Sequence, residues 1–215
     1  MSANAIRDIS ERMVKASKEL YEHGLVRGTS GNISARIPGT DTFLIKPSGV
    51  YVGLLKPEEL VLVDFEGNKI RGKRNVSAET PMHVAIYRAR EDVQAVVHTH
   101  APTATAFGIA RTEILPLQIE MLMLLPRGVP IVPFKLPGSK ALAEAVQKKI
   151  ADYDAVILES HGIVTVGSTI EAACTLNEMV EEAAKIQFTT VMLAGKDAIS
   201  WAELKKKFKT QNTIK

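Results

Sequence analysis

The sequence predicts a layered α/β fold built around a mostly antiparallel sheet, and three observations carry that expectation. Helix-period apolar spacing opens the chain, short strand-like segments separated by Gly- and Asn-containing turns fill its first half, and two wholly apolar runs, Ala95-Val96-Val97 and Ala155-Val156-Ile157-Leu158, alternate with helical stretches in its second half. With 215 residues and 23.4 kDa, 46% apolar and 24% charged, the chain suits one domain of ordinary size. That domain is expected to span residues 1–215, with its core over about 5–195 and a short lysine-rich tail. No internal repeat or interdomain linker interrupts it.

Ile6, Ile9, Met13, Val14, Ala16 and Leu20 recur at helical intervals over 5–21, and Gly24 is placed to end that helix in the left-handed conformation. The glycine-rich passage from Arg27 to Ser34 leads into strand-like segments at 42–46, 60–65 and 69–71, which read as a β meander. Thr80 is expected to cap a helix with Pro81 at its first position, running to about residue 90 and into the first apolar run. Helices over 102–110 and 117–125 then precede a strand at 129–134, whose prolines assign it to an edge. A helix over 140–150, strands at 155–159 and 163–166, a long helix over 170–193 ended by Gly195, and a short helix in the tail complete the prediction.

Composition narrows the partners. A net charge of +3 suits a small anion, but aromatics at 5% and the lack of a basic stripe argue against nucleic acid. The single cysteine, Cys174, excludes an internal disulfide framework and reads as a small buried helix residue. Arg7, Asp8, Glu11 and Arg12 break up the apolar core a signal peptide needs, and no apolar stretch reaches membrane-spanning length. No membrane partner is expected, and the cytoplasm is the expected location.

The chemistry is concentrated where the apolar runs end. His98-Thr99-His100 closes one and Ser160-His161-Gly162 follows the other. Side chains two apart on a strand share a face, so His98 and His100 can turn toward one ion, with His161 reaching it from a neighbouring strand. One histidine alone is more often a satisfied core residue, but three in this arrangement supply the ligands of a catalytic zinc site that keeps one position open. Glu79, just before a helix start, offers a fourth oxygen ligand; its simpler reading is a charge favoured by the helix dipole. His83 reads as a core or supporting residue rather than a ligand. Gly28-Thr29-Ser30-Gly31-Asn32 has the ingredients of a phosphate nest, and Lys46-Pro47-Ser48-Gly49 and Ser77 add two more hydroxyl-bearing turns.

Taken in order, these motifs resemble the class II aldolase/adducin family, typified by L-fuculose-1-phosphate aldolase, over roughly residues 5–195. The resemblance implies an α/β/α domain in a homotetramer with intersubunit active sites. It also implies a divalent ion on His98, His100 and His161, usually Zn2+ with Mn2+ or Co2+ as alternatives. Glu79 would be the acid/base residue, and Gly28, Thr29, Asn32, Ser48, Gly49 and Ser77 would line a phosphate site. The implied reaction is reversible cleavage of a ketose 1-phosphate, fuculose-phosphate-like or a deoxy- or methylthio-pentulose, to dihydroxyacetone phosphate and an aldehyde through a metal-stabilised enediolate.

Other readings stay open. They are a methylthioribulose-1-phosphate dehydratase, a pentulose-phosphate 4-epimerase or a sugar-acid decarboxylase of the same family, and an adducin-like scaffold without catalysis. Lys46 raises a Schiff-base aldolase, which the three histidines disfavour. The chain also departs from the family pattern. Ala78 stands where a second serine is common, and the family's tyrosines near residues 119–120 and in the tail are missing, the four present being Tyr21, Tyr51, Tyr87 and Tyr153. Glu79, where the epimerases carry aspartate, favours an aldolase.

Overall fold

The computed structural model describes residues 3–195 and 201–212. Its strands are β1 (Asn32–Arg36), β2 (Thr42–Ile45), β3 (Val61–Asp64), β4 (Lys69–Arg71), β5 (Ala95–Thr99), β6 (Ile131–Val132), β7 (Ala155–Leu158) and β8 (Gly162–Gly167). They form one sheet in the order β4-β3-β2-β1-β5-β8-β7-β6, antiparallel throughout except for the parallel pair β6 and β7. The helices are α1 (Ala3–Glu22), α2 (Thr80–Ala89), α3 (Pro102–Ile109), α4 (Ile119–Leu124), α5 (Lys140–Ile150), α6 (Ile170–Ala194) and α7 (Trp201–Asn212). Among the described residues no helix is long and apolar enough to cross a membrane.

Strand periodicity sorts the core into two halves. Ala95 and Val97 of β5 pack with Met13 of α1, Phe107 of α3 and Val180 of α6, whereas Val96 between them packs with Met82 and Ile86 of α2 and Val146 of α5. Helices therefore cover both faces of the sheet, which is the three-layer α/β/α arrangement. β5, β7 and β8 are buried on both sides, so they read as continuous apolar runs. Arg36 at the end of β1 ties the layers together: its guanidinium donates to the carbonyls of Tyr87 and Arg90 at the C-terminus of α2, where a positive charge complements the helix dipole, and to that of Val93 in the connection to β5.

Four local expectations change. Thr80 does not cap α2, because its hydroxyl donates back to the Ser77 carbonyl at 2.7 Å; Glu79 occupies the cap position without a side-chain capping bond, its carboxylate turned elsewhere. The helix expected over 117–125 is shortened to α4, since Gln118 before it is extended. The strand expected over 129–134 pairs only at Ile131 and Val132 and sits at the sheet edge, as its prolines require; Val129 bridges instead to Ile114. β1 begins within the glycine-rich passage, at Asn32, which the sequence presents as turn.

Candidate metal centre and active site

The three histidines converge at one end of β5, near the middle of the sheet. Asn32 of β1 and Val164 of β8 lie directly opposite His98 on either side. Between His98 and His100, Thr99 points to the other face and is locked there, donating to Asn177 Oδ1 of α6 at 2.6 Å, while Asn177 Nδ2 donates to Thr165 Oγ1 at 3.1 Å. Fixing Thr99 fixes the roll of the strand and hence the direction of His98 and His100. His161 comes from the tight β7–β8 connection, where Ser160 holds a left-handed φ of 59° and the His161 N–H donates to the Leu158 carbonyl at 3.1 Å. Gly162 makes the approach possible, since a Cβ there would strike the Thr99 carbonyl and come within 3.1 Å of His100 Cδ2 and 3.2 Å of His98 Cε1.

The imidazole rings lie 4.7 to 5.0 Å apart, mutually inclined by 62 to 65°, and each offers a ligand nitrogen within 4.8 Å of the others. The Ile163 carbonyl lies 2.9 Å from His98 Nδ1, which fixes the proton there and turns the Nε2 lone pair into the cluster, 3.2 Å from His100 Nε2. Burial, reinforced by the neighbouring imidazoles, pushes His100 down to about 4 and lowers His161 as well, which favours neutral rings with available lone pairs. This donor set fits a divalent ion of the zinc type.

Glu79 faces the cluster. Its Oε2 lies 3.1 Å from His98 Nε2 and accepts a hydrogen bond from Asn32 Nδ2 at 2.8 Å, whereas Oε1, 3.6 Å from His161 Nε2, is buried with no hydrogen-bond partner. Burial opposes ionisation of Glu79, but the facing imidazoles of His98 and His161 and the Asn32 amide outweigh it and hold the carboxyl well below the usual range.

The hydroxyl-bearing turns are knitted together beside it. The Ser48 hydroxyl accepts from the Ala78 N–H at 3.1 Å and the Ser77 hydroxyl from the Glu79 N–H at 3.2 Å, so each oxygen keeps its own proton to donate. Lys46 is 2% exposed and donates to the carbonyls of Thr29 and Gly31 at 3.0 and 3.2 Å, bracing the glycine-rich turn from below; burial lowers its pKa to about 8. Committed in this way, its amine is poorly placed to form an imine. Gly28 joins the assembly through its carbonyl, which accepts from the Val52 N–H at 2.9 Å. The Asn32 amide is already engaged by Glu79 and by His83.

With that geometry in view, the match to known proteins is direct: residues 11–188 fit the family described as Class II Aldolase and Adducin N-terminal domain. The chain belongs to the class II aldolase and adducin family. It is 35% identical over 180 residues to a 5-deoxy-D-ribulose 1-phosphate aldolase of Bacillus thuringiensis serovar kurstaki, covering 84% of each chain. It is 32% identical to a 3-oxo-tetronate 4-phosphate decarboxylase of Haemophilus influenzae, covering 83% of this chain and 86% of that one. A solved L-fuculose 1-phosphate aldolase superposes with a TM-score of 0.84 at 29% identity, covering 90% of this chain and 89% of that one.

The class II aldolase fold thus gathers His98, His100, His161, Glu79 and Asn32 into one cluster, with Ser77 in the turn leading to Glu79. A cleft of about 630 Å3 between α2 and α5, lined by Val84, Arg88, Lys140 and Gln147 among others, shares Ser77 with this site but none of the histidines. Sequence reasoning missed the Thr99–Asn177–Thr165 lock and the connection of His83 to Asn32. Their signal, a polar residue at a buried strand or helix position, is visible only once burial is known.

Proposed function

We propose that this class II aldolase-family chain is a divalent-metal-dependent aldolase that reversibly cleaves a ketose 1-phosphate to dihydroxyacetone phosphate and an aldehyde. The observation that carries the reading is the buried, unpartnered Oε1 of Glu79 facing three converging imidazoles. A divalent ion on His98, His100 and His161, for which Zn2+ is the leading candidate and Mn2+ or Co2+ alternatives, supplies Lewis acidity for negative charge developing on substrate oxygens.

The protein's own groups do the rest. In the synthetic direction Glu79 removes a proton from C3 of dihydroxyacetone phosphate, and the electron pair left on the enediolate forms the new bond to the aldehyde carbon. In cleavage the C4 hydroxyl gives its proton to solvent as it becomes the aldehyde carbonyl, the C3–C4 pair returns to C3, and Glu79, having taken up a proton from solvent, delivers it to C3. Gly28, Thr29, Ser48, Gly49 and Ser77 donate hydrogen bonds to the phosphate, with Asn32 contributing its remaining N–H. The relatives' names support phosphorylated sugars as substrates, with a 5-deoxypentulose 1-phosphate first among them. Assembly as a homotetramer with sites between subunits, in the cytoplasm, completes the reading.

A second reading, decarboxylation of a phosphorylated 3-oxo sugar acid, is favoured by the similarity to the oxo-tetronate phosphate decarboxylase, because loss of CO2 leaves the same kind of enediolate for Glu79 to protonate. One experiment separates them. The zinc-loaded protein is incubated with a panel of ketose 1-phosphates and of phosphorylated 3-oxo acids. Dihydroxyacetone phosphate released together with an aldehyde from a ketose 1-phosphate supports the aldolase, CO2 released from a 3-oxo acid with no cleavage of any ketose 1-phosphate replaces it with the decarboxylase, and an intact carbon chain in every incubation rejects both. Glu79→Gln is expected to lower the rate by about 10²- to 10⁴-fold, and an unchanged rate in Glu79→Gln or His98→Ala removes the assigned roles.

A further inference from the structure

A chain of buried hydrogen bonds runs from Glu79 into the α2 side of the core. Asn32 Nδ2 donates to Glu79 Oε2 at 2.8 Å, and the Asn32 carbonyl Oδ1 is met by His83 Nε2. His83 Nδ1 is 2.6 Å from Ser34 Oγ, which is in turn 2.7 Å from the Tyr87 hydroxyl. His83 and Ser34 are wholly buried and Tyr87 is 1% exposed. His83 and Tyr87 stand one turn apart on α2, while Asn32 and Ser34 are alternate residues of β1 and face the same side.

Each donor in this chain has one consistent direction. An ionised Glu79 can only accept, so Asn32 must present its NH2 group to Glu79 and its Oδ1 to His83. Oδ1 can only accept, so the His83 proton sits on Nε2. Nδ1 is then an acceptor, filled by the Ser34 hydroxyl, whose oxygen accepts from Tyr87. Reversing the Asn32 amide would set its carbonyl against a carboxylate.

We propose that His83 is a positioning residue: through Asn32 it fixes which oxygen of Glu79 is tied back and which, Oε1, is left free to exchange the proton at C3. This rests on the proposed aldol reaction for the meaning of Oε1, but not for the hydrogen-bond polarity itself. The hydrogen-bond partners of the His83 side chain are Asn32 and Ser34, not the three-histidine cluster. Those two bonds explain why a histidine, rather than an apolar residue of similar volume, occupies a fully buried helix position.

Two measurements test it. In the ligand-free protein, nitrogen–proton correlation spectra of the imidazole side chains are expected to show His83 protonated at Nε2 and bare at Nδ1; a proton on Nδ1 overturns the proposal whether or not the protein is an aldolase. His83→Gln keeps an N–H donor able to reach Asn32, and His83→Leu removes it at similar size. In steady-state cleavage His83→Leu is expected to lose about 10- to 100-fold in kcat with KM within about twofold, the size typical of losing a supporting hydrogen bond, and His83→Gln to recover most of that loss.

Equal kcat in wild type and His83→Leu, or equal losses in the Leu and Gln variants, overturns the role. Should His83→Leu not fold, Ser34→Ala replaces it: a lower kcat at unchanged KM supports the chain, and an unchanged kcat refutes it. If the wild type cleaves no substrate, the aldolase reading fails while the tautomer measurement still decides the polarity.

Discussion

Gly162 shows how closely the site is built around individual atoms. Alanine there would drive a Cβ into the Thr99 carbonyl and against His98 and His100, and the Thr99 carbonyl is backbone that cannot rotate away. Gly162→Ala is therefore expected to lower bound metal by at least about tenfold while leaving the secondary structure intact; metal analysis alongside circular dichroism checks this, and full metal content in the variant would contradict the packing argument. Cys174 illustrates the opposite case, a chemically capable group kept silent. Burial, helped by the nearby carboxylates Glu178, Glu171 and Glu19, pushes its thiol up to about 12. The reactive thiolate is thus scarce at pH 8. The folded protein is expected to resist a maleimide at that pH and to be labelled only after unfolding, as mass spectrometry would reveal; rapid labelling of the native chain would show the thiol to be accessible.

Between elements, the connection that matters most is the one that carries the chain out of β5. α3 starts two residues after His100, and Ala101 before it has no side-chain cap to offer. Its first N–H groups are satisfied from a distance: the Glu181 carboxylate, 3% exposed on α6, accepts from Thr103 N and from Ala104 N at 3.0 and 2.9 Å. Glu181→Ala should cost about 2 kcal/mol, the upper range for losing a helix cap, and Glu181→Gln should recover part of it, as denaturant unfolding would measure. Equal stability of Glu181→Ala and wild type would remove the capping role. Nothing in local sequence links residue 181 to residue 103, so a long-range cap of this kind stays hidden. β5 and β7 were legible because strands covered on both faces are uninterrupted apolar runs. β1 was not, because Asn32 and Ser34 are polar residues pointing inward, which mimics a turn; they are inward because they carry the bonds to Glu79 and His83. The histidine cluster was legible since strand spacing alone puts His98 and His100 on one face, whereas the partner of each supporting group depended on how the sheet brings distant segments together.

At the scale of the whole molecule, the described surface carries more apolar side chains than an isolated chain needs. Phe188 and Met192, one turn apart on α6, are 55% and 70% exposed, and Leu193 beside them is 83% exposed. On α4, which packs against α6, Ile119 and Met123 are likewise one turn apart, at 45% and 66% exposed. Two packed helices that each carry an outward apolar row offer surface suited to burial against further copies of the chain. The homotetramer proposed above would use it, and because sites are proposed to lie between subunits, dissociation should cost activity as well as mass. A Phe188→Glu, Met192→Lys double variant is expected to sediment as a smaller species than wild type, with the same circular dichroism and with cleavage of ketose 1-phosphates reduced by about tenfold or more, as loss of positioning groups at a site commonly does. Wild type that sediments as a single chain would reject the tetramer. A double variant that dissociates yet keeps full activity would show instead that each chain carries a complete site, and would confine the catalytic groups to those around Glu79 and the three histidines.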